Sequence, residues 1–327
     1  MKLQYSVLPL LFLGAVSCDK AKEIVRQAEM TVKSEIAKNT APVKDETIAN
    51  PELQSQVDQD ADGAIFRKDL PFPRYLKVNV TRVHEVVTRT VGRSEIELEK
   101  KTVRGTETLI TQFERKADQV SYTRSLHQFQ EPIPPNTDPT KAPPVKVLAP
   151  PAAPCLFVKS GSKWKHAGND FRSASLAQTI SPHFDQLLIE NCLSPRELWL
   201  GKQRFKVGDQ LPVSGNFLPM IVAGSAKGKL LLTLEAFEAV NGHPCGVFAI
   251  SGDYNRSKAP DFEGKLTDEE VTISSGKIWL SLLYPVILKE ELETIQSYKS
   301  GGQGGLVNQG QGSVKVSVTR DWVPVAP

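Results

Sequence analysis

A two-residue turn between two long apolar segments constrains the fold of this chain more than any other feature. The segments KLLLTLEAFEAV and HPCGVFAIS flank Asn241-Gly242. A type I′ turn needs positive φ at both central residues, which Asn and Gly tolerate, and its twist matches that of two antiparallel strands. The pair therefore predicts a tight β-hairpin.

The first strand of this hairpin has leucine at every second position, at Leu230, Leu232 and Leu234. Alternation with a period of two predicts a strand that buries one face. A slip of one residue would turn that face to solvent, so the turn also fixes the register. Two facing sets are compatible with the sequence: Val247 with Ala249, or Phe248 with Ile250.

Further strand-like segments follow in sequence order: EEVTISS, KIWLSLLY, VILKEELETIQSY and GSVKVSVTRDW. Together with the hairpin they predict about six antiparallel strands. Residues 173–200 are predicted to be helical, with Ser181-Pro182 at a helix N-terminus. Strands and helices do not alternate, which excludes a doubly wound parallel sheet. The predicted fold is mainly β (α+β): an antiparallel meander or curved half-barrel sheet with a short helical patch and an N-terminal tether.

The N-terminus has the pattern of an export signal. Met1-Lys2 precedes an apolar run from Val7 to Val16, and the small residues near its end are followed by Cys18. About ten apolar residues are too few for a membrane-spanning helix, which needs roughly 20, but they suit a signal peptide. An ordinary signal peptide with an incidental cysteine is the alternative to a functional Cys18.

Ala15-Val16-Ser17-Cys18 resembles the lipobox of bacterial lipoproteins. The resemblance implies that the Cys18 thiol receives a diacylglycerol, that cleavage occurs just before it, and that the new N-terminus is acylated, with palmitate-like chains. It implies a lipid-anchored protein of the bacterial cell envelope. Whether the anchor lies in the inner or the outer membrane is undecided.

The chain is predicted to have five parts. Residues 131–154 contain nine prolines, and proline cannot donate a hydrogen bond to a sheet, which predicts a stiff linker or a long surface crossing. Residues 39–62 are polar with little periodicity, which predicts a flexible tether. The parts are a signal peptide (1–17), a lipid-anchored helical or flexible tether (18–65), a β-rich N-terminal part (66–130), a Pro-rich linker (131–154) and a β-meander C-terminal part (155–327).

Charge and cysteine content exclude some function classes. The formal net charge of +3 is mild and dispersed, so nucleic acid is not a predicted partner. If Cys18 is lipidated, Cys155, Cys192 and Cys245 remain. An export destination permits one disulfide among them, but their spacing matches no metal motif. No cofactor is predicted.

One acidic segment resembles the EF-hand calcium loop in its spacing. Asp58, Asp60, Asp62 and Asp69 fall at loop positions 1, 3, 5 and 12, and oxygen ligands on alternate residues can wrap a calcium ion. The last ligand is a short aspartate, and the prolines that follow forbid an exiting helix. A solvated acidic end of the tether is therefore the favoured interpretation, and no metal site is assigned.

Sequence motifs for catalysis are missing. The serines lack a G-x-S-x-G elbow, and no two of the five histidines lie at i, i+4 spacing. Catalytic residues are therefore not assigned.

The strand segments 229–240, 243–251, 277–284 and 286–298, with the helix near 182–191, look like carriers of the lipoprotein-sorting type, in which helices cover the apolar groove of a half-open curved sheet. This resemblance implies a concave apolar face that binds an acyl chain without catalysis.

The leading hypothesis is a membrane-anchored envelope lipoprotein that acts as a non-enzymatic binding or scaffold module. An apolar or acyl ligand is one candidate for what it binds. Its expected partners are the membrane, through the N-terminal lipid, and either an apolar ligand or an envelope protein. The alternatives are a periplasmic or surface hydrolase with scattered residues and a structural spacer without a ligand. An enzyme should show a cleft with convergent polar groups, whereas a carrier should show a largely apolar cavity.

Overall fold

The computed structural model describes residues 49–94, 98–133, 143–167, 171–194, 196–222, 226–258, 267–301 and 307–325. The predicted signal peptide, Cys18 and the predicted tether up to residue 48 lie outside the described residues, and their assignment stays a prediction. Among the described residues no helix is long and apolar enough to cross a membrane.

The described residues form short helices and long strands. The helices are α1 (Pro51–Gln54), α2 (Phe171–Ile180) and α3 (Phe184–Asn191), with 3₁₀ turns at Ser181–His183 and Gly215–Met220. The strands are β1 (Gln59–Asp60), β2 (Gly63–Ile65), β3 (Tyr75–Ser94), β4 (Leu98–Lys116), β5 (Gln119–Gln130), β6 (Lys146–Val147), β7 (Ala152–Ser160), β8 (Lys163–His166), β9 (Arg204–Phe205), β10 (Gln210–Ser214), β11 (Ala226–Val240), β12 (His243–Lys258), β13 (Thr267–Ser281), β14 (Ile287–Gly301) and β15 (Val307–Pro324).

One large antiparallel sheet dominates the fold. Its order is β10-β11-β12-β13-β14-β15-β3-β4-β5-β7-β8, with β6 also paired to β5, and β1, β2 and β9 form a separate small sheet. The large sheet is curved and does not close on itself. The predicted mainly β class and the antiparallel meander are therefore confirmed.

The sheet joins parts of the chain that the sequence separates. Strand β15 pairs with β3 over eighteen positions, from Val307 opposite Ser94 to Pro324 opposite Leu76. Strand β7 begins inside the predicted 131–154 linker and pairs directly with β5. The 66–130 part and the 155–327 part therefore share one sheet, because backbone pairing between distant strands leaves no mark on composition.

The central hairpin has the predicted geometry. Asn241 and Gly242 have φ of 51° and 77°, and Val240 lies opposite His243. Leu232 pairs with Ile250, and both belong to the main core cluster, whereas Leu231 is exposed. The register therefore selects Phe248 and Ile250 as the facing set of the main core.

The helical patch covers the inner face of the sheet. The ring of Phe184 on α3 stacks on that of Phe157 on β7, with centroids 3.7 Å apart. Leu188 on α3 is fully buried in the same core cluster as Leu232 and Leu234. Burial of such aliphatic and aromatic side chains contributes about 1.5–3 kcal/mol each, so this packing fastens the helices to the inner face of the sheet.

The predicted helix over 173–200 is too long, and its predicted N-terminus is wrong. Cys192 ends α3 in the left-handed conformation, with φ of 57° and ψ of 47°. Ser181-Pro182 lies in the 3₁₀ turn between α2 and α3. There the Ser181 hydroxyl donates back to the Ala177 carbonyl at 2.6 Å, so it is not the helix cap that the sequence suggests.

The tether boundary at residue 65 is also wrong, because residues 49–65 lie on the folded body. The backbone N–H of Asn50 donates to the Gly242 carbonyl at 2.7 Å. Strand β2 pairs with both β1 and β9, and Ala64 is fully buried. Phe66 then packs its ring over Gly246, where any side chain would collide with it. Backbone pairing thus orders a segment whose polar composition suggests flexibility.

Candidate functional site

An open cleft of about 720 Å³ lies on the sheet face opposite the helices. Side chains from β3 and from β11 to β15 line it, so it crosses six neighbouring strands. Register shifts interrupt β11 after Leu234, β12 after Ala249 and β13 after Ile273. Bulges bend a sheet and increase its local twist, which accounts for a concave surface at this position.

Charged side chains form cross-strand rows on the floor of the cleft. Lys277 lies opposite Glu291, and Lys315 lies between Glu293 and Glu85 on the neighbouring strands. The lining contains four glutamates and two lysines, Glu85, Glu235, Glu291, Glu293, Lys277 and Lys315. The cleft is therefore acidic overall.

The ion pairs of the cleft are open to solvent. Lys277 and Glu235 are 2.8 Å apart with side chains 52% and 41% exposed, and Lys315 and Glu293 are 3.6 Å apart with side chains 55% and 57% exposed. Exposed pairs contribute about 0–1 kcal/mol. A bound ligand can therefore exchange these partners at little cost.

Small residues, Ser274, Ser275 and Gly276, line the bottom of the cleft. Ser275 donates to a carboxylate oxygen of Glu293 at 3.3 Å, and Ser274 donates to the Glu293 carbonyl at 3.0 Å. A Cβ at Gly276 would lie 2.7 Å from the Glu291 carbonyl oxygen. The floor thus presents hydroxyl, carboxylate and ammonium groups beside apolar side chains such as Leu231 and Val83.

A serine and a histidine meet outside this cleft. Ser281 Oγ lies 2.6 Å from His243 Nε2 and accepts backbone N–H bonds from Leu283 and Tyr284, both at 3.0 Å. Because its lone pairs accept these N–H groups, the hydroxyl hydrogen points to Nε2, which is unprotonated. Burial lowers the pKa of His243 to about 4, which agrees with a neutral ring.

This pair is suited to structure rather than to nucleophilic catalysis. Ser281 has no exposed surface and His243 is 5% exposed. The N–H groups that would stabilise an oxyanion in a serine hydrolase are already bonded to the serine oxygen. The pair closes the tight turn after β13, in which Ser281 N–H also donates to the Val286 carbonyl.

The aspartates of the calcium-like spacing bond to arginines and to the backbone. Arg204 pairs with Asp58 and Asp60, and an Asp60 oxygen accepts from the Asp62 N–H at 2.8 Å. The Arg67 guanidinium bonds both oxygens of Asp69 and lowers the pKa of Asp69 to about 2. Within the described residues no group of three or more His, Cys, Asp or Glu could hold a metal ion, so the spacing does not become a ligand cage.

Cys155, Cys192 and Cys245 are free, buried thiols, with Cys155 in the main core cluster. Cys192 and Cys245 belong to a smaller apolar cluster with Trp279 and Leu288. Burial raises the pKa of Cys192 to about 12 and raises that of Cys245 further. Thiols in this state are poor nucleophiles, which fits packing rather than redox chemistry.

A network of buried charges was missed at the sequence level. Arg320 bonds Glu290 at 2.8 Å and the Asn191 side chain at 3.1 Å, and Arg82 bonds Glu190 at 3.2 Å. A signal was present, because Arg320 continues the buried alternation of Val314, Val316 and Val318. A second pair, Arg256 with Glu269, is likewise buried. The network ties the end of α3 to the inner face of the sheet.

The edges of the sheet are protected against pairing with other strands. Strand β10 carries Pro212, and the short strand β8 carries exposed Lys163 and Lys165. Proline and lysine on short edge strands are devices against edge-to-edge association. Recognition is therefore expected at the faces and ends of the sheet.

Comparison with known proteins does not assign a family. The chain matches no known protein family and no curated protein sequence. A solved structure, of OpdQ from Pseudomonas aeruginosa, is similar over 77% of this chain and 98% of that chain, with 7% identity and a TM-score of 0.15. A likeness at this level carries no argument about fold or function.

Proposed function

We propose that this protein is a lipid-anchored envelope lipoprotein that acts as a non-enzymatic binding module, with the polar cleft as its binding surface. The observation that supports the binding role is the open cleft of about 720 Å³ across six strands. Its volume lies in the range of ligand sites, about 300–1,000 Å³. The lipid anchor is supported by the lipobox-like Ala15-Val16-Ser17-Cys18.

The lining of the cleft favours a polar, amine-bearing ligand over an acyl chain. Glutamates outnumber lysines there, and desolvating these charges against a hydrocarbon chain would be costly. The acyl version would need the inner face instead, where the protein's own side chains from α2 and α3 pack against the sheet.

The hydrolase alternative rests on one observation, the contact of Ser281 with His243. Both groups are buried and the serine oxygen already accepts two N–H bonds. Hydrolysis of a p-nitrophenyl ester that is abolished by Ser281→Ala in a folded variant would support this alternative against the binding role.

The anchor is tested by changing Cys18 to Ala. The variant should lose membrane association, or accumulate with its signal peptide uncleaved, because Cys18 is the residue that we propose to be acylated. The measurement is fractionation of cells with mass spectrometry of the mature N-terminus. An unlipidated N-terminus on membrane-bound wild-type protein would contradict the anchor.

Binding in the cleft is tested with spermidine and palmitate as two defined probes, by isothermal titration calorimetry. Spermidine should bind, and Glu291→Gln/Glu293→Gln should weaken it about tenfold, since two carboxylate contacts are removed. The matched control is Glu52→Gln/Glu197→Gln, which removes two exposed carboxylates outside the cleft. Binding of palmitate would favour a carrier of acyl chains, and binding of neither probe would favour a structural spacer without a ligand.

A further inference from the structure

The chain from residue 49 joins the body at one end of the large sheet, here called the junction end. Strands β11, β13 and β15 end there, and β12 and β14 begin there. The Asn50 N–H donates to the Gly242 carbonyl at 2.7 Å, and the Arg67 N–H donates to the Leu282 carbonyl at 3.0 Å. The N-terminal segment is therefore fastened to the loops of this end.

Three aromatic rings lie together at the junction end. Tyr284 lies 5.4 Å from Trp322 and 5.6 Å from Phe72, measured between ring centroids. All three side chains are partly exposed, and the neighbouring Val323 is 39% exposed. Tyrosine and tryptophan with an apolar body and a polar tip are enriched where a protein meets the membrane–water interface.

Cationic side chains lie on and near the segment that carries Phe72. Lys68, Arg74 and Lys202 are exposed, and Lys202 is near enough to Asp69 to lower its pKa, after the larger effect of its Arg67 hydrogen bond. No carboxylate in the described part of the chain lies within ion-pair distance of these three cations. They therefore offer positive charge to an outside partner.

Two acidic side chains of the same end have local partners. Asp69 is held by Arg67 through two hydrogen bonds. Asp321 accepts from the amides of Asn79 and Asn241, both at 3.4 Å. The junction end thus combines partly exposed aromatic rings with exposed cations that form no ion pair among the described residues.

A lipid at Cys18 would hold this end near a bilayer. Residues 19–48, thirty in all, separate Cys18 from Ala49. If the predicted helical or flexible tether is flexible, a chain of that length has a root-mean-square span of about 30 Å, which corresponds to a millimolar effective concentration of the body at the membrane surface. Weak contacts made by the junction end would then suffice to orient the body.

We propose that the junction end docks on an anionic lipid surface, with Lys68, Arg74 and Lys202 contacting lipid phosphates and the rings of Phe72, Tyr284 and Trp322 at the interface. The proposal rests on the lipid anchor for its biological setting, and its chemistry is independent of it. In this orientation the six-strand cleft stays open to solvent while the anchor is engaged.

The test uses the full chain with Cys18→Ser, so that no lipid contributes. Binding is measured by flotation with vesicles of phosphatidylglycerol and phosphatidylcholine (1:1) and with phosphatidylcholine alone. The variant that reverses two charges of the junction end, called the rim variant, is Lys68→Glu/Lys202→Glu. The matched control is Lys227→Glu/Lys299→Glu, which makes the same charge change at the opposite end of the sheet, where β11 begins and β14 ends.

The expected result is binding to the phosphatidylglycerol vesicles that weakens with salt and that falls about twentyfold or more in the rim variant. The control variant should fall clearly less. Absence of binding, equal binding to phosphatidylcholine alone, or equal losses in both variants would overturn the proposal. Because lipidation at Cys18 is tested separately in cells, failure of lipid docking here is distinguishable from failure of the anchor.

Discussion

Replacing Arg320 with Met is expected to lower the free energy of unfolding by about 3–5 kcal/mol, because it leaves Glu290 as a buried charge without its partner. Both side chains are 3% exposed and their charged atoms are 2.8 Å apart. Arg320 also donates to Asn191 and to the Ile287 carbonyl, so those acceptors lose a bond as well. Urea unfolding followed by circular dichroism measures the change.

Two further variants separate the buried charge from a general effect of substitution. Lys315→Met removes an exposed cation from the same strand and should change stability by about 0.5 kcal/mol or less. Arg320→Met/Glu290→Met removes both charges and should recover much of the loss, because a buried pair can be replaced by apolar residues without large cost. Equal effects of Arg320→Met and Lys315→Met would contradict the role of the network.

The same pair predicts a pH dependence of stability. Burial opposes the ionisation of Glu290, but the charge and the hydrogen bond of Arg320 favour it, and the pKa of Glu290 lies below its usual value. A lowered folded-state pKa means that the stabilisation is complete above the unfolded-state pKa, about 4.3, and is lost as pH falls through the folded-state pKa. Stability measured on acidification should fall less steeply in Arg320→Met/Glu290→Met than in wild type.

Replacing Leu232 with Ala should cost about 2–5 kcal/mol, the range for deletion of a buried leucine side chain with a residual cavity. Leu232 is fully buried opposite Ile250 in the main core. Leu231→Ala on the same strand is the matched control, because Leu231 is 39% exposed on the other face. It should cost about 0.5 kcal/mol or less.

This comparison also tests the register of the central hairpin in solution. A slip of one residue would exchange the two faces of β11, and Leu231→Ala would then be the more destabilising change. Comparable losses in both variants would indicate that β11 is buried on both faces. Thermal unfolding of the two variants, side by side, decides between these outcomes.

The cleft and the network of buried charges could be recognised only from the tertiary structure. Glu85, Lys315, Glu293 and Ser275 form one cross-strand row, yet they come from four strands separated by long stretches of chain. The hydrogen bond between Ser281 and His243 joins residues 38 positions apart. Neither set has a spacing that points to a site, because β-sheet neighbours are set by pairing order and register rather than by sequence distance.

The sequence by itself determined the fold class, the antiparallel meander and the hairpin turn, although the segments EEVTISS and KIWLSLLY, predicted as two strands, fall on the single strand β13. These follow from local chemistry: Asn241 and Gly242 accept positive φ, and the period of two at Leu230, Leu232 and Leu234 assigns one face to the core. The tertiary structure decided the rest. It joined β15 to β3, placed residues 49–65 on the body, paired Asp58 and Asp60 with Arg204, and buried Arg320 against Glu290. Each of these contacts is between residues far apart in the chain, and its energy depends on burial and geometry that only the assembled sheet supplies.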